Sequence, residues 1–432
     1  MKVIDSICKS ITYKDLFIAI SPRLFKRRMK VVRIMQEETL QQLKSKELLK
    51  VVFFLQSSTT WEYDNLYWLM KESGRYDPLI VIIPYNYSLG NKWSVIRKNM
   101  QDCCLFCEKR GYEFISAYND ENKRWIDVRR FVNPDVVFFS FTQKFCNHRY
   151  YIYNFEDKLT LYCQYATPIA IDYQPIHNKR FHNLLWKTLA FTEYHHQLDI
   201  QYSRCRGDNS VVIGLLPAEK LIDVNYQPID VWKKQSVRKK RIIWAPHHTI
   251  GESGDFVFST FLEYADIMLS MASKYANEVQ FAFKPHPALI IKLSAIWGQE
   301  RADEYYKKWE ELPNGQLETS DYVDLFLTSD AMIHDCGGFR IQYLCTQKPV
   351  MYLMHSDKIY EESNLFGKQC LDLHYHGYQA DDIDAFINQV VIDGDDTLKQ
   401  QREAFFDENI KFKEGKTPSE RILDVISTSV WG

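Results

Sequence analysis

The chain has 432 residues, too many for a single hydrophobic core, so two domains are the default. With 46% hydrophobic residues it has ample material for packed cores, which excludes a disordered chain. A formal charge of -2 gives no global field toward nucleic acid, so no nucleic-acid partner is expected. No apolar run reaches the length of a bilayer span, and the N-terminus shows no signal-peptide core. The expected location is cytoplasmic, at most peripheral on the inner face of the membrane.

In chain order, residues 1–46 read as a helical segment outside the first sheet. Between Leu16 and Gln36 lie six basic residues (Arg23, Lys26, Arg27, Arg28, Lys30, Arg33) and no acid, interleaved with Phe17, Ile18, Ile20, Leu24 and Phe25. Such a segment is either the solvated face of a capping helix or a contact with an anionic membrane. Residues 47–232 then alternate short apolar runs with helical patterns. The expected strands are Val51–Leu55, Leu79–Ile83, Tyr112–Ile115, Val136–Phe141, Pro168–Ile171 and Val211–Leu216. This alternation predicts a parallel sheet with helices on both faces. Cys103, Cys104 and Cys107 fall on a predicted helix without a second group at zinc spacing, so they read as reduced thiols rather than a metal site. His177 and His182 stand in a histidine-rich stretch, Asp172 to His196, and one of them could serve as an acceptor-side base.

The basic run Lys233–Arg241 reads as a linker. Beyond it, residues 240–432 repeat the alternation and close in a helical tail. Strands are expected at Ile242–Ala245, Val279–Phe283, Ala331–Ile333, Val350–Leu353 and Cys370–Leu373, with a long helix over Phe256–Tyr275. The fold class is therefore α/β, two Rossmann-like parallel-sheet domains. Ligands of open α/β sheets bind beyond the carboxyl ends of the strands. Three loops stand there in the second half: Pro246-His247-His248-Thr249, Lys284-Pro285-His286-Pro287, and Asp335-Cys336-Gly337-Gly338. Imidazoles can accept a proton or bind phosphate, and Lys284 is a point charge suited to a diphosphate. Gly337 and Gly338 leave backbone N–H groups accessible where a helix over Phe339–Thr346 should begin. His247 and His248 are candidate general bases. No acidic metal motif stands out, and neither a metal nor a cofactor is expected.

Lys284-Pro285-His286-Pro287 resembles the basic-x-His-Pro motif of the CDP-glycerol glycerophosphotransferases, the teichoic-acid polymerase family. Ser329-Asp330 through Lys348-Pro349 is similar to that family's Ser-Asp-x-Leu-Ile-Thr-Asp-Tyr-Ser-Ser segment, and Ala245-Pro246 to its Ala-Pro-Thr stretch. The resemblance implies a GT-B fold, two facing Rossmann-like domains with the nucleotide donor in the C-terminal one. It implies transfer of glycerol phosphate, or a similar alditol phosphate, from a CDP-activated donor to a hydroxyl of a cell-envelope glycan or polymer. His286 would act on the donor diphosphate with Lys284, Asp335, Cys336, Gly337, Gly338 and Ser329 around it. Two departures stand out. The family's Tyr-Ser-Ser is Cys336-Gly337-Gly338 here, and its Trp-His-Gly-Thr-Pro motif is absent, Tyr173-Gln174-Pro175-Ile176-His177 being the nearest positional equivalent. The Asp-Cys-Gly-Gly turn also resembles the Asp-Ser-Gly-Gly turn of UDP-N-acetylglucosamine 2-epimerases, but Ile341 and Gln342 stand where those enzymes carry a Glu. The alternatives are a glycosyltransferase using a nucleotide sugar and a non-catalytic domain that binds polymer or membrane.

Overall fold

The computed structural model describes residues 22–85, 93–119, 121–142, 146–251 and 257–432. Leu16, Phe17, Ile18, Ile20 and Phe256 of the expectations above lie outside them. The chain forms two units. The first holds the described residues up to Ala166, then Asp172–Pro217 and Lys413–Gly432; the second holds Thr167–Ile171 and Ala218–Phe412.

The first unit contains strands β1 (Leu49–Leu55), β2 (Tyr76–Ile82), β3 (Phe114–Ser116), β6 (Val136–Phe139), β7 (Leu159–Cys163), β8 (Lys187–Ala190) and β9 (Ser210–Val212). They form one parallel sheet in the order β3-β2-β1-β6-β7-β8-β9. A short antiparallel pair, β4 (Tyr118–Asn119) and β5 (Arg124–Trp125), stands apart. Strands covered on both faces must be apolar throughout, and Val136–Phe139 is buried at every position. Phe53 of β1 pairs with Phe138 of β6, and their rings stack with centroids 4.6 Å apart. The helix Pro22–Leu43 packs Phe25 and Val32 into this core. Arg28 is ion-paired with the buried Glu156, and Arg33 donates to the Leu185 carbonyl at 2.5 Å. Two of the six basic residues are therefore structural, while Arg23, Lys26, Arg27 and Lys30 remain exposed.

Several expectations need correction. Pro168–Ile171 is no strand of the first sheet. Its main chain bonds instead to the second unit's 362–364 segment, with Asn364 N–H donating to the Ile169 carbonyl at 2.8 Å and Ile171 N–H to the Glu362 carbonyl at 3.0 Å. Gly367 permits this approach, since a Cβ there would meet the Ile169 oxygen at 2.5 Å. The linker run Lys233–Arg241 lies wholly inside the second unit, which begins at Ala218. Two of its charges are tied down, Lys233 to the Leu312 carbonyl at 2.9 Å and Arg241 to Asp230 at 2.8 Å. The tail is divided as well: the capped helix Pro418–Trp431 belongs to the first unit, where Trp431 donates to the Lys46 carbonyl at 2.9 Å.

The second unit's sheet comprises β10 (Lys240–Ala245), β11 (Val279–Phe283), β12 (Gly315–Leu317), β13 (Ala331–His334), β14 (Val350–Leu353) and β15 (Tyr375–Gly377). Its strands are parallel in the order β12-β11-β10-β13-β14-β15. This is the Rossmann order, and chain direction across the sheet reverses between β10 and β13. Trp244 stacks on Phe261 and Phe283 in the core beneath. The helix expected from Phe256 starts at Phe261. Cys370–Leu373 is not a strand: Cys370 to Asp372 end the helix Leu365–Asp372, and the strand follows at Tyr375.

Candidate active site

The sheet register brings the three loops together. Trp244 pairs with Phe283 and Ala245 with His334, so β10, β11 and β13 end at the same level. Their loops leave side by side at the switch point, where a crevice opens in folds of this order. Main-chain bonds then tie the loops to each other. Lys284 N–H donates to the Trp244 carbonyl at 2.8 Å, and His286 N–H to the Pro246 carbonyl at 3.1 Å. Asp335 Oδ1 accepts the His247 N–H at 2.5 Å, while its Oδ2 accepts the Thr260 N–H at 2.7 Å and hydroxyl at 3.0 Å. Asp335 is 1% exposed. Burial raises its carboxyl to about 6 in spite of these donors. It anchors the His247 main chain.

On this frame three imidazoles meet. The His247 and His248 rings lie 4.2 Å apart, His248 and His286 4.2 Å, and His247 and His286 5.3 Å. One nitrogen from each falls within 4.8 Å of the others. All three are half-buried. Burial first, then the neighbouring imidazoles and Lys292, lowers His247 to about 3. Burial, His248 and Lys292 lower His286 to about 4. Both are therefore neutral at pH 7.

The remaining sequence candidates divide. Gly337 is half-buried and Gly338 exposed, beside this cluster. Gly338 has ordinary right-handed angles, φ -65° and ψ -36°. A Cβ on Gly337 would only touch the Phe258 ring at 3.4 Å, so neither glycine is demanded by its backbone. The helix beyond them is α-helical only over Phe339–Gln342 and tightens to 3-10 over Tyr343–Thr346, too short for a strong dipole. Lys284 is 8% exposed, its Nζ donates to the Ser320 carbonyl at 2.5 Å, and burial lowers its pKa. Cys336 is buried, with its thiol donating to the Ala245 carbonyl at 3.2 Å. Ser329 is buried and bonded to the Phe326 carbonyl and Tyr343 hydroxyl, which makes it a packing residue.

In the first unit, His177 Nδ1 lies 2.7 Å from Asp199, whose other oxygen accepts the Ser210 hydroxyl at 2.5 Å. His177 is 4% exposed, and its Nε2 has no hydrogen-bond partner among the described residues. His182 is fully buried against Tyr162 and Phe181, lowered to about 3, with neither ring nitrogen bonded.

Two residues escape the motif reading. Lys292, on the helix Leu289–Trp297, donates to His248 Nδ1 at 2.9 Å. A lone lysine in an otherwise apolar helix was the available signal. Arg340 directly follows the glycine turn and is 1% exposed. It donates to Ser363 at 2.8 Å and lies over the Tyr352 ring, its Nε is unbonded, and among the described residues it forms no ion pair. A buried guanidinium without a carboxylate leaves positive potential beside the loops.

Two parallel Rossmann-like sheets, the second with ligand-type loops at its switch point, define a GT-B protein. Solved structures agree in fold. The wall teichoic acid polymerase TagF matches at 14% identity with TM-score 0.56, covering 94% of this chain and 97% of that one. Staphylococcus aureus MnaA, solved with UDP, matches at 12% identity with TM-score 0.55, covering 88% and 96%. UDP-GlcNAc 2-epimerase from Neisseria meningitidis, bound to UDP-GlcNAc, matches at 12% with TM-score 0.52, covering 88% and 100%. Comparison with the curated proteins finds no match. Residues 235–428 match the model of the CDP-glycerol:poly(glycerophosphate) glycerophosphotransferase family.

Proposed function

We propose that the protein transfers glycerol phosphate, or a related alditol phosphate, from a CDP-activated donor to a hydroxyl of a cell-envelope glycan or polymer. The observation that carries this reading is the meeting of His247, His248 and His286 at the switch point of the sheet that matches the family. The acceptor oxygen attacks the phosphorus bearing the glycerol. A new O–P bond forms, and the bond from that phosphorus to the bridging oxygen breaks. CMP leaves with that electron pair, and the acceptor proton passes to a base. Catalysis of this kind is mainly positioning and charge stabilisation. His286 and the main chain of Gly337 and Gly338 bind the diphosphate, with Lys284 and Arg340 supplying positive potential.

Thermal shift with CMP, CDP-glycerol, UDP and UDP-sugars, followed by assay of CMP release, tests the proposal. Stabilisation by cytidine nucleotides alone is expected. Selectivity for uridine nucleotides would mark a glycosyltransferase, and no nucleotide response would mark a binding module.

A further inference from the structure

His247, His248 and His286 have the composition of a metal site, but their surroundings have the wrong polarity. A histidine that binds metal donates its other ring N–H to a carboxylate, carbonyl or water. Here a donor faces Nδ1 on each of the three rings. Ala288 N–H donates to His286 Nδ1 at 3.1 Å. The Lys292 ammonium, which has no acceptor atom, donates to His248 Nδ1 at 2.9 Å. Thr249 Oγ1 already accepts the Phe258 and Ser259 N–H groups at 2.9 and 3.1 Å, which uses both its lone pairs. Its proton therefore goes to His247 Nδ1, 3.1 Å away. Each neutral ring must then carry its proton on Nε2.

We propose that these three histidines form an oxyanion seat of uncharged Nε2–H donors rather than a metal centre. His247 and His286 supply the hydrogen bonds, and His248, braced by Lys292, holds its ring between theirs. That the oxyanion is a nucleotide diphosphate rests on the function proposed above. The depressed pKa values of His247 and His286 agree, because they keep those two rings uncharged at neutral pH. Two consequences follow. Nε2 of His247 and His248 has no lone pair, so neither ring is the general base in this state. A divalent cation at Nε2 would have to turn three imidazoles against their donors.

The test uses the full chain. 15N NMR of histidine-labelled protein at pH 7 reports the tautomers, and Nε2–H is expected for all three rings. Binding of inorganic pyrophosphate and of CDP-glycerol is then measured for wild type, His286→Gln and His286→Ala. A glutamine amide can replace an Nε2–H donor, so His286→Gln should stay within about threefold of wild type. His286→Ala should lose about tenfold or more. Cobalt(II) titration should give no tetrahedral d–d band. Nδ1–H tautomers, a stoichiometric cobalt band lost in His286→Gln, or equal loss in both variants would each overturn the seat. If pyrophosphate binds as expected but CDP-glycerol does not, the seat stands and the proposed donor fails. If CDP-glycerol binds but the tautomers are reversed, only the seat fails.

Discussion

The buried carboxylate of Asp335 accepts the main-chain N–H of His247 at 2.5 Å across the switch point between β13 and β10. The same group holds Thr260 at the start of the helix Phe261–Lys274. One side chain thus fixes the loop that carries two of the three clustered imidazoles. Asp335→Ala strands three donors in a buried site, and should cost about 2–5 kcal/mol in urea unfolding. Asp335→Asn keeps one acceptor and should cost less. Both should weaken donor binding more than they change the second unit's secondary structure by circular dichroism.

Acid should destabilise the protein well before its carboxylates protonate. His182, His247 and His334 are held at about 3 and His286 at about 4, against an ordinary value of 6.5. The unfolded chain therefore binds protons that the fold refuses as pH falls below about 6.5, and stability drops until the folded values are reached. Each histidine adds a slope of up to about 1.4 kcal/mol per pH unit. Asp335, raised to about 6 from 3.8, works in the opposite sense between those two values, as a single proton. Urea midpoints between pH 7.5 and 4.5 should fall steeply, and His334→Gln should flatten the curve.

Arg340 offers a separable test of electrostatics. Its guanidinium is buried without an acidic partner, so Arg340→Met removes an uncompensated charge and can leave stability within about 2 kcal/mol. Donor affinity should nonetheless fall about tenfold, read by titration calorimetry.

The exposed face of the helix Pro22–Leu43 invites a test on vesicles. Deleting it would expose the core around Phe25 and Val32, so charge reversal is the cleaner change. Combined Arg23→Glu, Lys26→Glu, Arg27→Glu and Lys30→Glu should abolish binding to anionic liposomes, at about 1 kcal/mol per charge near the surface. Binding that persists would make this a capping helix and nothing more. Among the described residues, no helix is long and apolar enough to cross a membrane.

The local pattern of the chain was enough to announce two parallel sheets and the three loops after β10, β11 and β13, because apolar runs bounded by turns depend only on near neighbours. The Lys-Pro-His-Pro and Asp-Cys-Gly-Gly stretches were legible for the same reason. What lay beyond sequence was partnership. Pro168–Ile171 looks like a strand until Asn364 and Glu362 supply its hydrogen bonds from 196 residues away. Lys284, Ser329 and Cys336 have ligand-like chemistry, yet carbonyls and hydroxyls of distant segments already occupy their polar atoms. Whether a histidine donates or accepts depends on which group faces its second nitrogen. The donors that decide it for His247 and His248, Thr249 and Lys292, are ordinary residues until the loops close around them. Residue type sets what a side chain is able to do; tertiary contacts select which of those capacities remains available.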